Sequence, residues 1–451
     1  MRWLMSRGGL ACALAACGPA SSSPPAPLPP SATIALGPGW PGALPAAVAT
    51  ELDRAAETHR VLAFGEGDHY VAEKYAYRLA LLRPLVERHR LRHVAIEMGG
   101  SDAARIDRYL ETGDEQWLRR VVLYGYSGET DDERRELAPV TRGERRPCDD
   151  AWARAERQFF RDLRALGAST GDRIHLFGFD YDAAPGGGYA DARRAMEACT
   201  DDGVTRDVRA ALTPPRNTNI DAEVRRLEML VARIDGSREV LDGACGASAV
   251  SMARDALDQL AFSYRTMFEW RASAADTSPG GAARMTRMFA ARENGMAARF
   301  TRWIASVPAD SRVALLGHNL HVARDSERLR YGLAPHDQPM WTSLGTSIER
   351  DRAKSIWVSW LLYGRGTRYA PPKPEAISQV ELRAESLEAH LAATPGASFV
   401  AVSRVPPDSV VDRPMPFGTE SSEGSGPVRN ASDAIVFLPT ASAPPGCVRT
   451  P

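Results

Sequence analysis

The feature that most constrains the fold is a series of short apolar runs that alternate with amphipathic helical segments. The runs that predict strands are 61–64, 93–97, 173–179, 312–316, 356–363, 398–403 and 434–438. Residues 71–89 have apolar side chains at helical spacing, with Pro84 predicted to bend the helix, and 102–110 and 150–167 follow the same period. This alternation predicts an α/β fold, a mostly parallel sheet flanked by helices.

One long region departs from the alternation. Residues 188–308 show helical patterns and no convincing strand, so we predict a large helical insertion between two core strands. The α/β core is then split into 46–187 and 309–440, with a C-terminal tail at 441–451. Residues 126–147 are strongly charged and predict a mobile loop.

Acidic and histidine side chains stand where four of the predicted strands end. They are, in chain order, Glu66 with His69, then Glu97, then Asp180, and finally His318 with His321. The carboxyl ends of parallel strands lie along one edge of a sheet, and ligand crevices form there. A single such residue is more often a helix cap or a solvated turn, but four strands together predict a shared site.

These residue types suit acid–base chemistry. A histidine beside carboxylates has its tautomer fixed and its basicity raised, which suits a general base acting on water. Glu66 and Glu97 are the candidate partners of His69. His318 and His321 are spaced to share a helix face, and one of them could hold a carbonyl oxygen or protonate a leaving alkoxide.

Other catalytic signatures are weak or absent in the sequence. Histidines with glutamates can also form a metal shell, but no HExxH motif occurs and HxxH alone is weakly specific. The GxSxG elbow of serine hydrolases, the Walker A motif and the Rossmann glycine pattern are missing. We predict a site without metal or cofactor and keep a metal-dependent hydrolase as an alternative.

The N-terminus has the pattern of an export signal. Arg2 and Arg7 precede a short apolar run that ends in "LAAC", which resembles the bacterial lipobox. Residues 1–17 are therefore predicted to be a lipoprotein signal peptide with Cys17 as the acylated residue, and 18–45 a Ser/Pro-rich tether. The predicted location is the bacterial cell envelope, with a soluble secreted protein as the alternative.

Export would place the later cysteines in an oxidising compartment. These are Cys148, Cys199, Cys245 and Cys447. They allow three pairings into two disulfides, and we favour Cys199 with Cys245 because both lie in the same helical stretch.

The overall charge bears on the class of partner. A chain of 451 residues with a formal net charge of −1 gives no electrostatic reason to expect nucleic acid. Its length suits one large or two moderate domains.

Several segments resemble the erythromycin esterase family. The opening "GEGDHYVAEKYAYRLALLRPLVERHRLRHVAIE" with "ARIDRYLETG", and the later "RENGMAARFTRWI" and "ALLGHNLHVA", resemble that family's motifs in the same order. The resemblance spans about residues 58–440. It implies an α/β core with a helical part closing over a cleft, and hydrolysis of a small-molecule ester or lactone.

The resemblance also implies roles for single residues. His69 matches the family's essential histidine, the base that activates water without a metal, and Glu66 and Glu97 match its paired acids. Further matches are Arg78, at the position of an active-site arginine, and the pair His318 and His321. We add as candidate substrate-binding residues Glu73, Asp180, Asn319 and Arg292.

One position departs from the family pattern, and two other functions stay open. Tyr70 replaces the usual glycine after the histidine, which is expected to narrow the crevice. Related folds include metal-dependent peptidases with a GxxH histidine and haem-binding bacterial lipoproteins. A metal-dependent hydrolase or peptidase and a haem- or iron-binding lipoprotein are therefore the alternatives to an ester hydrolase.

Overall fold

The computed structural model describes most of the chain between residues 25 and 445. The described ranges leave out 39, 119–146, 183–186, 201–202, 214–218, 277, 279, 333–336, 352–354, 370–376 and 420–422. The predicted signal peptide with Cys17, the charged loop up to residue 146, and Cys447 therefore lie outside the described residues.

The elements follow one another as strands and helices. The strands are β1 (Thr33–Ala35), β2 (Val61–Glu66), β3 (His93–Gly99), β4 (His175–Asp180), β5 (Val313–His318), β6 (Arg330–Tyr331), β7 (Gln338–Pro339), β8 (Ile356–Tyr369), β9 (Ile377–Val380), β10 (Ser398–Ala401), β11 (Met415–Phe417), β12 (Gly424–Gly426) and β13 (Ala434–Ala441). The helices are α1 (Ala46–Thr58), α2 (Glu73–Arg88), α3 (Gly100–Thr112), α4 (Pro147–Ser169), α5 (Gly187–Ala195), α6 (Gly203–Ala211), α7 (Ile220–Gly236), α8 (Arg238–Cys245), α9 (Ala247–Ala274), α10 (Gly281–Ser306), α11 (Asn319–Val322), α12 (Leu344–Asp351) and α13 (Leu387–Ala392).

A large, mostly parallel sheet forms the centre of the fold. Among the described residues it has nine strands in the order β1-β10-β13-β8-β2-β5-β3-β4, with β9 beside β8. All pairs from β13 to β4 are parallel, whereas β1, β10 and β9 pair antiparallel. The predicted α/β class, a mostly parallel sheet flanked by helices, is confirmed. A second sheet joins the short strands β11, β12, β6 and β7 in antiparallel order.

The central strands are apolar throughout because helices cover both faces of the sheet. Every residue of β2 and of β5 is buried. Along β2, Leu62 and Phe64 pack into one core cluster, while Val61 and Ala63 pack into the cluster on the other face. A continuous apolar run, rather than an alternating one, is what a doubly covered parallel strand requires.

Helices fill the chain between β4 and β5. The described residues from 187 to 306 form α5 to α10 and contain no strand, and many of them share a separate apolar cluster. The predicted disulfide between Cys199 and Cys245 is present in this region. No helix in the described part of the chain combines the length and the apolar composition needed to cross a bilayer.

Some boundaries differ from the predicted ones. β8 continues to Tyr369, beyond the predicted end at 363, because β13 and β9 flank its distal half. The predicted strand at 398–403 ends at Ala401, where a 3₁₀ turn begins at Val402. Pro84 lies inside α2, which continues to Arg88.

Candidate active site

The carboxyl ends of β2, β5, β3 and β4 bring the predicted polar residues together. β5 lies between β2 and β3 in the sheet, and Glu66 of β2 is in register with His318 of β5. Glu97 lies in β3, and Asp180 ends β4 opposite Gly99. Four sequence segments therefore meet at one sheet edge, as predicted.

His69 lies between two carboxylates. Its Nδ1 atom bonds Oε1 of Glu66, and its Nε2 atom is 3.7 Å from Oε1 of Glu97. Because an ionised carboxylate only accepts hydrogen bonds, Nδ1 of His69 carries a proton. The side chain of His69 is 15% exposed, compared with 2% for Glu66 and 3% for Glu97. His69 is the member of this trio that solvent can reach.

Two cations from α2 hold Glu66 in its ionised form. Nη2 of Arg78 is 2.9 Å from Oε2 of Glu66, and Nζ of the fully buried Lys74 is 3.4 Å from the same carboxylate. Lys74 and Arg78 are four residues apart and so share a helix face. Burial raises the pKa of Glu66, but Arg78, Lys74 and His69 outweigh burial and leave that pKa well below its usual range.

Glu97 is the centre of a second set of contacts. Its Oε2 atom accepts a hydrogen bond of 2.6 Å from the backbone N–H of His318. Its Oε1 atom is 3.1 Å from both Nη2 of Arg292 and Nε2 of His321. Burial raises the pKa of Glu97, but His321, His69 and Arg292 hold it well below its usual range.

Arg292 of α10 joins two strand ends. Besides Glu97, its guanidinium binds Asp180, with Nε 3.0 Å from Oδ1. The same guanidinium lies over the ring of Tyr181, 5.1 Å from its centroid. Burial lowers the pKa of Arg292, but Asp180, Tyr181 and Glu97 raise it well above the ordinary arginine value.

His321 has a carboxylate at each ring nitrogen. Nε2 faces Glu97 and Nδ1 bonds Oε1 of Glu293, which also accepts from Nε1 of Trp341 at 3.0 Å. The other oxygen of Glu293 accepts from the backbone N–H of Leu344 at 2.8 Å. Burial lowers the pKa of His321, but Glu293 and Glu97 raise it to about 10. His321 is therefore an imidazolium at neutral pH.

His318 is in the opposite state. Burial, with His69 and His321 nearby, lowers the pKa of His318 well below its usual value, so the ring is neutral at neutral pH. Its Nδ1 atom accepts from the backbone N–H of Leu320 at 3.4 Å, which assigns the proton to Nε2. Nε2 is buried and has no hydrogen-bond partner among the described residues, and the ring centroid is 4.9 Å from that of His69.

Two predicted substrate-binding residues have other contacts. Glu73, at the start of α2, accepts hydrogen bonds from the backbone and hydroxyl of Ser442. Asn319 donates from Nδ2 to the carbonyl of Leu361 and accepts the Leu361 N–H at Oδ1. Both amide atoms of Asn319 thus join α11 to β8.

Sequence reasoning missed Lys74, Glu293 and Trp341. Lys74 stands at helical spacing from Arg78, which was a usable signal, and Glu293 follows Arg292 within the quoted motif. Trp341 gave no local signal, because its contact with Glu293 depends on tertiary packing.

The histidine and carboxylate atoms of the site are not arranged as the ligands of a metal ion. No group of three or more histidine, cysteine, aspartate or glutamate side chains in the described ranges is arranged to hold a metal ion. The nitrogens of His69 and His321 face carboxylates instead.

Comparisons with known proteins agree with the resemblance read from the sequence. A family model described as erythromycin esterase matches residues 86–419, a range that begins after His69. Erythromycin esterase type I of Escherichia coli is 39% identical over 56 residues, which are 12% of this chain and 14% of that protein. The chain thus matches well under two thirds of this relative's length.

Solved structures share the fold. A mutant erythromycin esterase, EreC, in its open conformation has a TM-score of 0.61 and 16% identity, with 89% of this chain and 96% of that chain covered. A Bacillus cereus protein has a TM-score of 0.66 and 11% identity, with 93% of this chain and 97% of that chain covered. A succinoglycan biosynthesis protein has a TM-score of 0.55 and 11% identity, with 88% of this chain and 92% of that chain covered. At these identities the similarity concerns the fold alone. The family model spans most of the sequence, and the chain belongs to the erythromycin esterase family.

Proposed function

We propose that this protein hydrolyses an ester or lactone, with His69 as the general base that activates water without a metal ion. The observation that carries the proposal is the placement of His69, whose Nδ1 is bonded to ionised Glu66 and whose side chain is 15% exposed while both neighbouring carboxylates are buried. Membership of the erythromycin esterase family supports ester hydrolysis as the general class.

The proposed reaction begins with proton transfer from water to Nε2 of His69. The water oxygen bonds to the carbonyl carbon of the substrate, and the imidazolium formed is stabilised by Glu66 at Nδ1 and by Glu97 near Nε2. When the carbon–alkoxide bond breaks, His69 returns the proton to the leaving alkoxide. The products are a carboxylic acid and an alcohol, and the enzyme is restored.

His318 is the best candidate to stabilise the developing oxyanion. Its Nε2–H is a neutral donor without a partner among the described residues, and its ring lies beside that of His69. A buried donor held ready for transition-state charge is the basis of an oxyanion hole. The ring nitrogens of His321 face Glu97 and Glu293, and Nη2 of Arg78 pairs with Glu66, so we assign His321 and Arg78 to charge balance and positioning.

Metal independence is supported by the contacts of His321. A metal-binding imidazole needs a ring nitrogen free to bind the metal, whereas each ring nitrogen of His321 faces a carboxylate. A metal-dependent hydrolase would require His69 or His321 to be released from its carboxylate partners.

The decisive experiment replaces His69 by Asn and screens aryl esters, macrolides and acylated sugars. We expect turnover to fall by at least about a hundredfold, because general base catalysis by a positioned histidine contributes about 10² to 10⁴. His390→Asn, on α13 far along the chain, is the matched control and should retain activity.

Circular dichroism should show that the His69→Asn protein is folded, and a chelator should leave wild-type turnover unchanged. Undiminished hydrolysis by the His69 variant would remove His69 from the mechanism. Loss of activity with chelator, restored by a divalent metal, would favour the metal-dependent alternative.

A further inference from the structure

Asp68, the residue before His69, has a carboxylate that is completely buried. Its partner is Arg368, whose guanidinium forms an ion pair with Oδ2 of Asp68 and is itself buried. Oδ2 also accepts from the hydroxyl of Thr419 at 3.0 Å. This pair lies outside the set of groups assigned to the proposed reaction.

The other oxygen of Asp68 shapes the backbone around His69. Oδ1 accepts from the backbone N–H of Tyr70 at 2.8 Å, which closes a turn with His69 as its central residue. The direction of the His69 side chain therefore depends on where the Asp68 carboxylate is held.

β8 supplies the anchor for this turn. Its pairing with β2 ends at Ser359, but the strand continues to Tyr369 and runs past the loop that follows β2. The backbone N–H of Tyr369 donates to the carbonyl of Tyr70 at 3.0 Å, and the Arg368 guanidinium lies 5.6 Å from the centre of the Tyr70 ring. β13 and β9 flank this end of β8 and hold it in place.

We infer that the Asp68–Arg368 ion pair is a positioning device that holds the imidazole of His69 against Glu66. Arg368 acts through Asp68 and the turn, so it is a positioning residue. The inference rests on the proposed function for its kinetic consequence, but the geometry it predicts can be measured without a substrate. A loosened turn moves Nδ1 of His69 away from Glu66, and misplacement by about 1 Å can cost about a hundredfold in rate.

The test compares Arg368→Gln, Asp68→Asn and the double variant with wild type. We expect kcat to fall about tenfold to a hundredfold while KM changes by less than about twofold, because the substrate-facing groups are unchanged. Arg368→Lys should recover part of the loss. Arg324→Gln is the matched control, since it breaks an arginine–aspartate pair with Asp433 near the start of β8 and should leave kcat unchanged.

A second readout needs no turnover. In ¹⁵N-histidine-labelled protein, the Nδ1–H of His69 bonded to Glu66 should give a downfield proton resonance, assigned by its loss in His69→Asn. Arg368→Gln should weaken or shift that resonance, while the equivalent signal of His321 bonded to Glu293 stays in place as an internal reference.

The outcomes separate the two proposals. An unchanged His69 resonance in Arg368→Gln overturns the inference, whatever the kinetics. If wild type hydrolyses no ester, the proposed function fails while the resonance still decides the positioning role. If the Arg368 and Asp68 variants do not fold, Thr419→Val is tested instead, because it removes one hydrogen bond to Asp68 at similar side-chain volume. The His69 resonance should shift in Thr419→Val as well.

Discussion

The three histidines of the site have different neighbours. Both ring nitrogens of His321 contact a carboxylate, whereas His69 has one carboxylate bonded to Nδ1 and a second one 3.7 Å from Nε2. His318 instead accepts a backbone N–H at Nδ1. These neighbours give the residues different tasks at one sheet edge. His321 carries a fixed positive charge, and His318 is a neutral donor. His69 is the most exposed of the three imidazoles, so it is the one that a water molecule can reach.

The stability of the protein should depend on pH through His321. Its folded pKa of about 10 lies above the unfolded value of 6.5, so its stabilisation is fully present below pH 6.5 and is lost as pH rises toward 10. The groups that face it are Glu97, Glu293, Arg292 and His318. We expect the wild-type Tm to fall over this range and the fall to be smaller in His321→Gln. If Tm falls equally with pH in wild type and in His321→Gln, the raised pKa assigned to His321 is contradicted.

At the scale of elements, α10 contributes three buried charged residues, Arg292, Glu293 and Arg299. Adjacent residues on a helix point in directions about 100° apart, so Arg292 reaches the ends of β3 and β4 while Glu293 reaches His321. The helical region and the sheet edge are therefore joined by ionic contacts to His321 and to Glu97, the carboxylate 3.7 Å from Nε2 of His69. A helix that packed through apolar contacts alone would not fix the charges of Glu97 and His321.

Replacing Arg292 by Met should destabilise the fold strongly. Removing one partner of a buried ion pair typically costs about 3–5 kcal/mol, because Glu97 and Asp180 are left buried without their shared cation. Arg302→Met is the control on the same helix, since its pair with Asp258 is 54% and 34% exposed and should be worth at most about 1 kcal/mol. Urea unfolding measures the free energy of unfolding of both variants. Similar losses of stability in Arg292→Met and Arg302→Met would contradict the role of Arg292.

Element-level prediction from the sequence worked where contacts are local or periodic. The core strands were visible as apolar runs, and Glu66 and His69 are near neighbours in the chain, so their contact needed no knowledge of the fold. The far end of β8 was missed because its residues after 363 are polar, glycine-containing and paired by β13 and β9. The short strands of the small sheet have too few residues to show a period.

At the scale of the whole molecule, the parallel order of the strands predicted where the polar residues meet, but not which of them touch. The contact of His321 with Glu293, and of Trp341 with Glu293, follows from the packing of α10 against the segment after β5. The ion pair between Asp68 and Arg368 joins residues that are 300 apart in sequence. Such pairs carry no signal in a single sequence, because nothing local distinguishes them from surface charges.

The N-terminal segment gives a prediction for the intact protein. We propose that Cys17 is acylated and anchors the chain in the cell envelope, since "LAAC" follows a basic start and an apolar run. Cells fed an alkyne fatty acid should label the wild type and the Cys12→Ser control, whereas Cys17→Ser should lose the label and leave the membrane fraction. Labelling of the Cys17 variant would contradict the lipobox assignment.

The position of β5 between β2 and β3 governs when the site is built during synthesis. β2 and β3 are translated early, whereas β5 begins at Val313, after the whole set of helices from α5 to α10. The sheet therefore cannot be complete at this point until β5 has been translated, because β2 and β3 each pair with β5 and not with each other. Any product that terminates before residue 313 lacks the strand that lies between β2 and β3 and carries His318.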